Sequence, residues 1–406
     1  MPSSTQSTPP SISNKNNDQR VEHRLPCKRA CKDDTAQLGP TAVRTYFWSV
    51  TMWVLAKRGS VPGNASKTTT TSPGKEDPYL VALVPSKPSN SGQPSKQDEV
   101  TVRLTRSALN HRDNWMTKGM YPQLREGVVL GSDGCGVAET GDMKGKRVVL
   151  DPSMAWGADP AAPHGTLEIL GMPRNGTFQA SITVPAANVH EAPKHLTDSQ
   201  AAALPLAGVT AYRALVTKGR AKPGDLVLVT GIGGGVAVFA AQFAAAMGCK
   251  VYVTSSSQSK VDRAVRELGC AGGVLYTAPD WTKKLLAATG NQKFAVVIDG
   301  GGGDGLNDLL RVVKGGARVV TYGSTAGPSV QVTLPLLFLN NVDLLGTAMG
   351  SPSDFAEMLH FVNKHKIVPI VDEEFPFTEF PQALDKMRKG QQLGKLVLVH
   401  GPAAKL

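Results

Sequence analysis

No apolar run in this 406-residue chain approaches the roughly 20 residues that a membrane-spanning helix needs. The nearest candidate, "YFWSVTMWVLA" at 46–56, is too short, and it does not lie at the start of the chain, where a secretory signal would be. Cysteine is scarce. Cys27, Cys31, Cys135, Cys249 and Cys270 are odd in number and scattered, which reads as free thiols in a reducing compartment. Cys27 and Cys31 have the spacing of half a zinc finger, but no second Cys/His pair follows at a suitable distance, so no finger is expected.

Acidic residues are outnumbered, giving a net charge of +11 and a pI near 9.4. Such a balance suits an acidic partner such as nucleic acid. Roughly +5 of it, however, falls in residues 1–78, and no aromatic–basic motif of an RNA module occurs. The expected partner is a phosphorylated small molecule, not nucleic acid or a membrane. Residues 1–78 are rich in Ser, Thr, Pro, Asn and Lys and cannot bury enough apolar surface to offset their ordering entropy. They read as a disordered extension interrupted by the aromatic patch. Asp18, Glu22, Asp33 and Asp34 argue against a mitochondrial presequence there, so a cytoplasmic location is expected, with mitochondria as the alternative.

From 79 to 204 the pattern is of short strands broken by Gly and Pro, as in "YLVALVP", "EVTVRL" and "GKRVVLDP". From 205 to 349 apolar strands alternate with helices: "DLVLVTG", "KVYVTS", "FAVVIDG", "ARVVTYG". Continuous apolar strands of this kind belong to a parallel sheet covered on both faces. Residues 350–406 add helix, strand, helix and a last strand, "KLVLV". The expected class is α/β, with a β-rich domain beside a doubly wound parallel sheet.

The stretch "VTGIGGGVAVFAAQFA" at 229–244 lies at a strand-to-helix junction. Gly231, Gly234 and Ala237 form G-x-x-G-x-x-A. Small residues there let the chain turn, let the backbone reach a pyrophosphate, and let helix and sheet approach closely. The helix N-terminus then offers free N–H groups to phosphate. Gly231, Gly233, Gly234, Gly235 and Val236 are the expected pyrophosphate cradle. NAD binders usually carry Asp or Glu at the end of the second strand, for the ribose hydroxyls. This chain reads "TSSSQSK" at 254–260, with no carboxylate. Ser255, Ser256 and Lys260 instead suit a 2′-phosphate, with Arg263 one helical turn further on, and the expected cofactor is NADP. A helix cap followed by exposed basic residues is the alternative reading of the same stretch.

Taken together, "SALNHRDNWMTKGMYP", "LGSDGCGV", "AAALPLAGVTAYRAL", "KPGDLVLVTGIGGGV" and "QLGKLVLV" resemble the medium-chain dehydrogenase/reductase superfamily from about residue 79 to 401. The likeness is strongest to its zinc-free quinone-oxidoreductase-like branch, including the group called zinc-type alcohol dehydrogenase-like. The resemblance implies a GroES-like catalytic domain split in sequence, 79–204 completed by 350–406, a Rossmann NADP-binding domain at 205–349, and an active site between them. It also implies what is missing. Zinc-dependent relatives carry Cys where Asn110 stands, His where Ser132 stands, and a third Cys near Leu206; Asp133 stands for the Glu beside the missing His. Nor does "DPSMAWGADPAAPHGTLEILG" hold the four cysteines of a structural zinc lobe. His111, Asp113 and His164 form only an improvised alternative, and no metal is expected.

Without a Lewis acid, hydride must go to an acceptor activated by conjugation: a quinone, an enone or an enoyl thioester. The resemblance places Asn110, Asp113 and Tyr121 in the cleft as candidate catalytic residues. Asn110 either donates to a substrate or cofactor oxygen or caps a turn. Tyr121 either donates a proton or packs before Pro122, and Asp113 reads as a helix cap. Trp115 either walls the pocket or belongs to the core. Thr210, Gly323, Ser324 and Lys395 match positions that border the cofactor in the family. Asp299 sits at the carboxyl edge of the sheet, near ligand or satisfying loop amides. The expected activity is a zinc-independent, NADPH-dependent quinone or enone reductase acting on a small molecule. Enoyl-thioester reduction is the alternative, and an NADPH-binding protein that contacts RNA is the alternative of another class. Relatives imply a homo-oligomer, dimer or tetramer.

Overall fold

The computed structural model describes residues 51–57, 77–85 and 98–401. Its centre is a six-stranded sheet, parallel throughout. Across it lie Gly272–Leu275, Lys250–Ser255, Leu226–Val229, Phe294–Asp299, Val313–Thr321 and Asp343–Gly346. In chain order these strands run 3-2-1-4-5-6, the doubly wound arrangement, whose crevice opens between the first strand and the fourth. Leu226–Val229 and Phe294–Asp299 are buried along their whole length, because helices cover both faces.

A seven-stranded, mostly antiparallel sheet forms the second unit. Its strands run Val189–Glu191, Arg147–Leu150, Asp133–Ala138, Glu99–Ala108, Lys395–Val399 and Val371–Pro376, and Ser181–Pro185 pairs with part of Glu99–Ala108. Strands from before residue 204 and after residue 350 thus share one sheet. Lys395–Val399 lies antiparallel against Glu99–Ala108, with Val397 opposite Ala108. The helix Pro205–Tyr212 links the two units and is buried at every position.

The boundary drawn at residue 78 is corrected within the described residues. Thr51–Lys57, overlapping the aromatic patch excepted from the disordered reading but still placed in the extension before residue 79, is a strand paired antiparallel with Tyr79–Pro85, Trp53 opposite Leu83. Its "WVLA" is buried, and Trp53 is completely enclosed. The Trp53 ring meets Phe380 edge-on at 5.4 Å, and its indole N–H donates to the Phe377 carbonyl at 2.8 Å. The polar flanks concealed an apolar half-hairpin whose partner comes some twenty residues later. The expectations for 1–50, including Cys27 and Cys31, and for 58–76 lie outside the described residues. Cys135, Cys249 and Cys270 are free and buried. Burial pushes the thiols of Cys135 and Cys270 up to about 12 and that of Cys249 to about 11, so all three stay protonated.

Candidate functional site

A cavity of about 590 Å³ opens along the carboxyl ends of the parallel strands. Its floor is the glycine turn. Leu226–Val229 ends at Thr230, and the chain reverses through Gly231 (φ 63°) and Gly233 (φ 140°) before the helix Gly235–Ala246 begins. Side chains rarely adopt those angles. At Gly233 a Cβ would also stand 3.0 Å from the Lys260 ammonium and 3.4 Å from the Gln392 carbonyl. The backbone is therefore held open at the N-terminus of a twelve-residue helix, an arrangement suited to an anion.

At one end the wall is made by Ser255, Ser256, Lys260 and Tyr276. No carboxylate follows the strand Lys250–Ser255. The Lys260 ammonium donates to the Gly390 carbonyl at 2.6 Å; burial lowers its pKa and Asp372 partly restores it. Arg263 is engaged by carboxylates instead. It pairs with Glu267 at 3.0 Å and with Asp372 at 3.7 Å. Across the cavity, Asp299 accepts from the Thr230 hydroxyl at 2.6 Å and from the Gly302 amide at 2.9 Å, so it satisfies its own loop.

Among the lining residues that the sequence did not assign to the cofactor are His111 and Gln392. His111 opens the helix His111–Thr117; burial first, then the charges of Lys395 and Lys260, depress its pKa and keep the imidazole neutral. It directly follows Asn110 in "LNHRD", a clue read only for metal. Gln392 is 3% exposed, and its carboxamide oxygen has no hydrogen-bond partner. Its segment crosses the turn, with the Gly394 amide donating to the Gly233 carbonyl at 2.9 Å. Only the fold brings that late segment over the glycines, so local sequence carried little sign of it.

Of the residues expected at the cofactor, Gly231, Gly233, Gly234, Val236, Ser255, Ser256 and Lys260 line the cavity. Gly235, Thr210, Gly323, Ser324 and Lys395 do not. A Cβ on Gly235 would strike the Lys395 stem at 2.7 Å, so glycine there serves packing. The Thr210 hydroxyl turns back to the Leu206 carbonyl at 2.8 Å within its helix. Gly323 and Ser324 pack on Gly302, and the next two residues, Thr325 and Ala326, reach the cavity instead.

The three candidate catalytic residues stand apart from one another in role. The Tyr121 hydroxyl accepts from Arg112 Nε at 3.0 Å, beneath a guanidinium 4.8 Å from its ring, and does not line this cavity. Asp113 is fully buried and reaches back to the Asn110 amide at 2.8 Å, as a helix cap does. Burial raises its pKa to about 6, the Asn110 amide opposing. Asn110 donates through Nδ2 to Asp133 at 2.9 Å and accepts through Oδ1 from the Lys395 ammonium at 2.6 Å. That ammonium also meets Asp133 Oδ2 at 2.8 Å, and Asp133 Oδ1 accepts from the Leu206 amide at 2.7 Å.

These residues do not fit zinc. An ammonium is closed against Asn110 and Asp133. The Ser132 hydroxyl donates to the Leu170 carbonyl at 2.8 Å and accepts from Arg112, and Leu206 turns a backbone amide to the cluster. Among the described residues no three of His, Cys, Asp and Glu converge as a metal set, His111, Asp113 and His164 included.

Comparison with known proteins follows the same division. The family described as "Alcohol dehydrogenase GroES-like domain" matches residues 96–194, and "Zinc-binding dehydrogenase" matches 235–364. The chain is 40% identical over 325 residues to "Zinc-type alcohol dehydrogenase-like protein YogA" of Leptosphaeria maculans, covering 74% of this chain and 90% of that protein. It is 25% identical over 347 residues to "Acryloyl-coenzyme A reductase" of Sulfurisphaera tokodaii, covering 80% and 98%. A crystal structure described as an NAD-dependent alcohol dehydrogenase is 32% identical, with a TM-score of 0.71 over 83% of this chain and 99% of that one.

Proposed function

The chain belongs to the medium-chain dehydrogenase/reductase superfamily of oxidoreductases, and from that premise we propose an NADPH-dependent, zinc-independent reductase of conjugated acceptors, quinones or enones. The observation that carries the reading is the end of the cavity at Ser255, Ser256 and Lys260. Hydroxyls and an ammonium stand there, and the segment 255–260 itself carries no carboxylate to compete with a 2′-phosphate. Bound nicotinamide would supply hydride. The chain's own part is to hold and orient. Gly231–Gly234 and the helix behind them suit the pyrophosphate, the unpartnered Gln392 carboxamide oxygen can accept from a cofactor hydroxyl, and neutral His111 offers a ring nitrogen to a ligand. With no Lewis acid, charge developing on the acceptor must be spread by its own conjugation.

Titrating NADPH and NADH by calorimetry tests the reading. NADPH is expected to bind at least tenfold more tightly, on the order of one charge-assisted hydrogen bond. In Lys260→Ala that gap narrows by about ten- to a hundredfold while NADH binding stays as it was. Turnover on a quinone and enone panel should continue in EDTA. Equal or tighter NADH binding, or loss of turnover in chelator, overturns the proposal. Reduction of an enoyl thioester is the second reading, favoured by the similarity to acryloyl-CoA reductases; crotonyl thioesters in the same panel separate the two.

A further inference from the structure

Part of the cavity wall is unsuited to phosphate. Next to the end at Ser255, the Tyr276 amide donates to the Ser255 carbonyl at 3.0 Å, and the Tyr276 ring, 47% exposed, borders the same opening. Trp281 begins the helix Trp281–Ala288, and Leu309 lies in the helix Gly305–Val312. The two belong to one apolar cluster and both line the cavity. Aromatic and aliphatic side chains of this kind suit a flat heterocycle. One charged group stands among them. Asp308, in the first turn of Gly305–Val312, is half-buried and lines the cavity, and among the described residues no cation or hydrogen-bond donor engages its carboxylate.

An unpaired carboxylate in a cavity that receives a polyanion repels it, unless the part of the ligand beside the carboxylate is a donor. A dinucleotide has two such parts, the exocyclic amine of adenine and the carboxamide of nicotinamide. With the adenosine ribose at Ser255 and Lys260, the base falls towards Tyr276 and Trp281, whereas the nicotinamide faces the acceptor side, where His111 of the β-rich unit borders the cavity. We propose that Asp308 reads the base: its carboxylate accepts a hydrogen bond from the adenine amine while the ring lies against Trp281 and Leu309. A base with a carbonyl oxygen in place of the amine sets two acceptors face to face and leaves the carboxylate desolvated and unpaired. The inference rests on the reading of the cavity as a dinucleotide site, not on the 2′-phosphate or the acceptor.

The probe is the hypoxanthine counterpart of NADPH, titrated by calorimetry beside NADPH itself. The unmodified, full-length protein is expected to bind NADPH at least about tenfold more tightly than the probe, the effect of one hydrogen bond to a charged group. In Asp308→Asn the carboxamide can turn either its N–H or its oxygen to the base, so the ratio should fall to within about threefold, mostly through weaker NADPH binding. Trp281→Ala should weaken both nucleotides alike and leave the ratio in place. A carboxylate that served only the first turn of its helix would shift the melting temperature and not the ratio. Equal binding of the two nucleotides by the unmodified protein, or a ratio that persists in Asp308→Asn, overturns this proposal alone. The same ratio is expected between NADH and its hypoxanthine counterpart, so a preference for NADH would overturn the NADPH reading and leave this one standing. Binding of none of the four overturns both.

Discussion

At the scale of single residues, burial decides which side chains remain chemically available. Asp151 is 1% exposed, and burial pushes its carboxyl up to about 7, the amide and hydroxyl of Ser153 only partly opposing. A carboxyl whose folded pKa lies above its unfolded value favours the folded state below the unfolded pKa and loses that contribution as pH rises to the folded one. Asp151 therefore costs stability progressively from about pH 4 to pH 7. Asp151→Asn keeps an oxygen for the Ser153 amide, now 2.9 Å away, and removes the titration. Its stability relative to the unmodified protein should rise by about 2 kcal/mol between pH 5 and pH 8, measured by urea denaturation. A constant difference would show that Asp151 is charged throughout. His400, held near pKa 3 by burial and Arg106, works in the opposite sense, losing stability as pH falls below its unfolded value, but it is common to both proteins and cancels. The same logic explains what could be read early. The missing carboxylate after Lys250–Ser255 was visible because it is a local feature of one strand end, read directly in "TSSSQSK". Lys395 was expected at the phosphates, because sequence cannot reveal that Asn110 and Asp133, more than 260 residues away, would claim its ammonium.

At the scale of elements, periodicity told most and composition misled once. Apolar strands, glycine turn and Ala-rich helix were legible because each obeys a local rule: continuous burial, positive φ, close approach. The strand Thr51–Lys57 was not, since its partner Tyr79–Pro85 lies beyond a polar intervening stretch and hairpin signals depend on short connections. Its weight in the fold is testable. Trp53 fills the space between Phe380 and the Phe377 carbonyl, so Trp53→Ala leaves a large void and an orphaned acceptor. A loss of about 3–5 kcal/mol in denaturant is expected, against near-neutral behaviour if the strand were a detachable tail.

At the scale of the whole molecule, the sheet edges matter. No helix among the described residues is long and apolar enough to cross a membrane. The strand Asp343–Gly346 ends the parallel sheet, paired on one side only among the described residues, and its own Leu344 is exposed. On the preceding helix Leu334–Phe338 and just after it, Leu334 is 63%, Phe338 63% and Leu339 71% exposed. Open edges and apolar patches of this kind attract a second copy. The chain is expected to sediment as a dimer, and Phe338→Asp/Leu344→Lys to shift it to monomer without altering its circular dichroism. Sedimentation of the unmodified protein as a monomer would refute this.

The antiparallel seam between Glu99–Ala108 and Lys395–Val399 also sets an order of events on the ribosome. Residues of the parallel sheet emerge consecutively and can condense while synthesis continues. The other sheet leaves part of one flank of Glu99–Ala108 unpaired until Val371–Pro376 and Lys395–Val399 have emerged, after the parallel sheet. During that interval the parallel sheet can be folded while the other sheet is incomplete, and the exposed flank of Glu99–Ala108 is where a chaperone has most reason to attend.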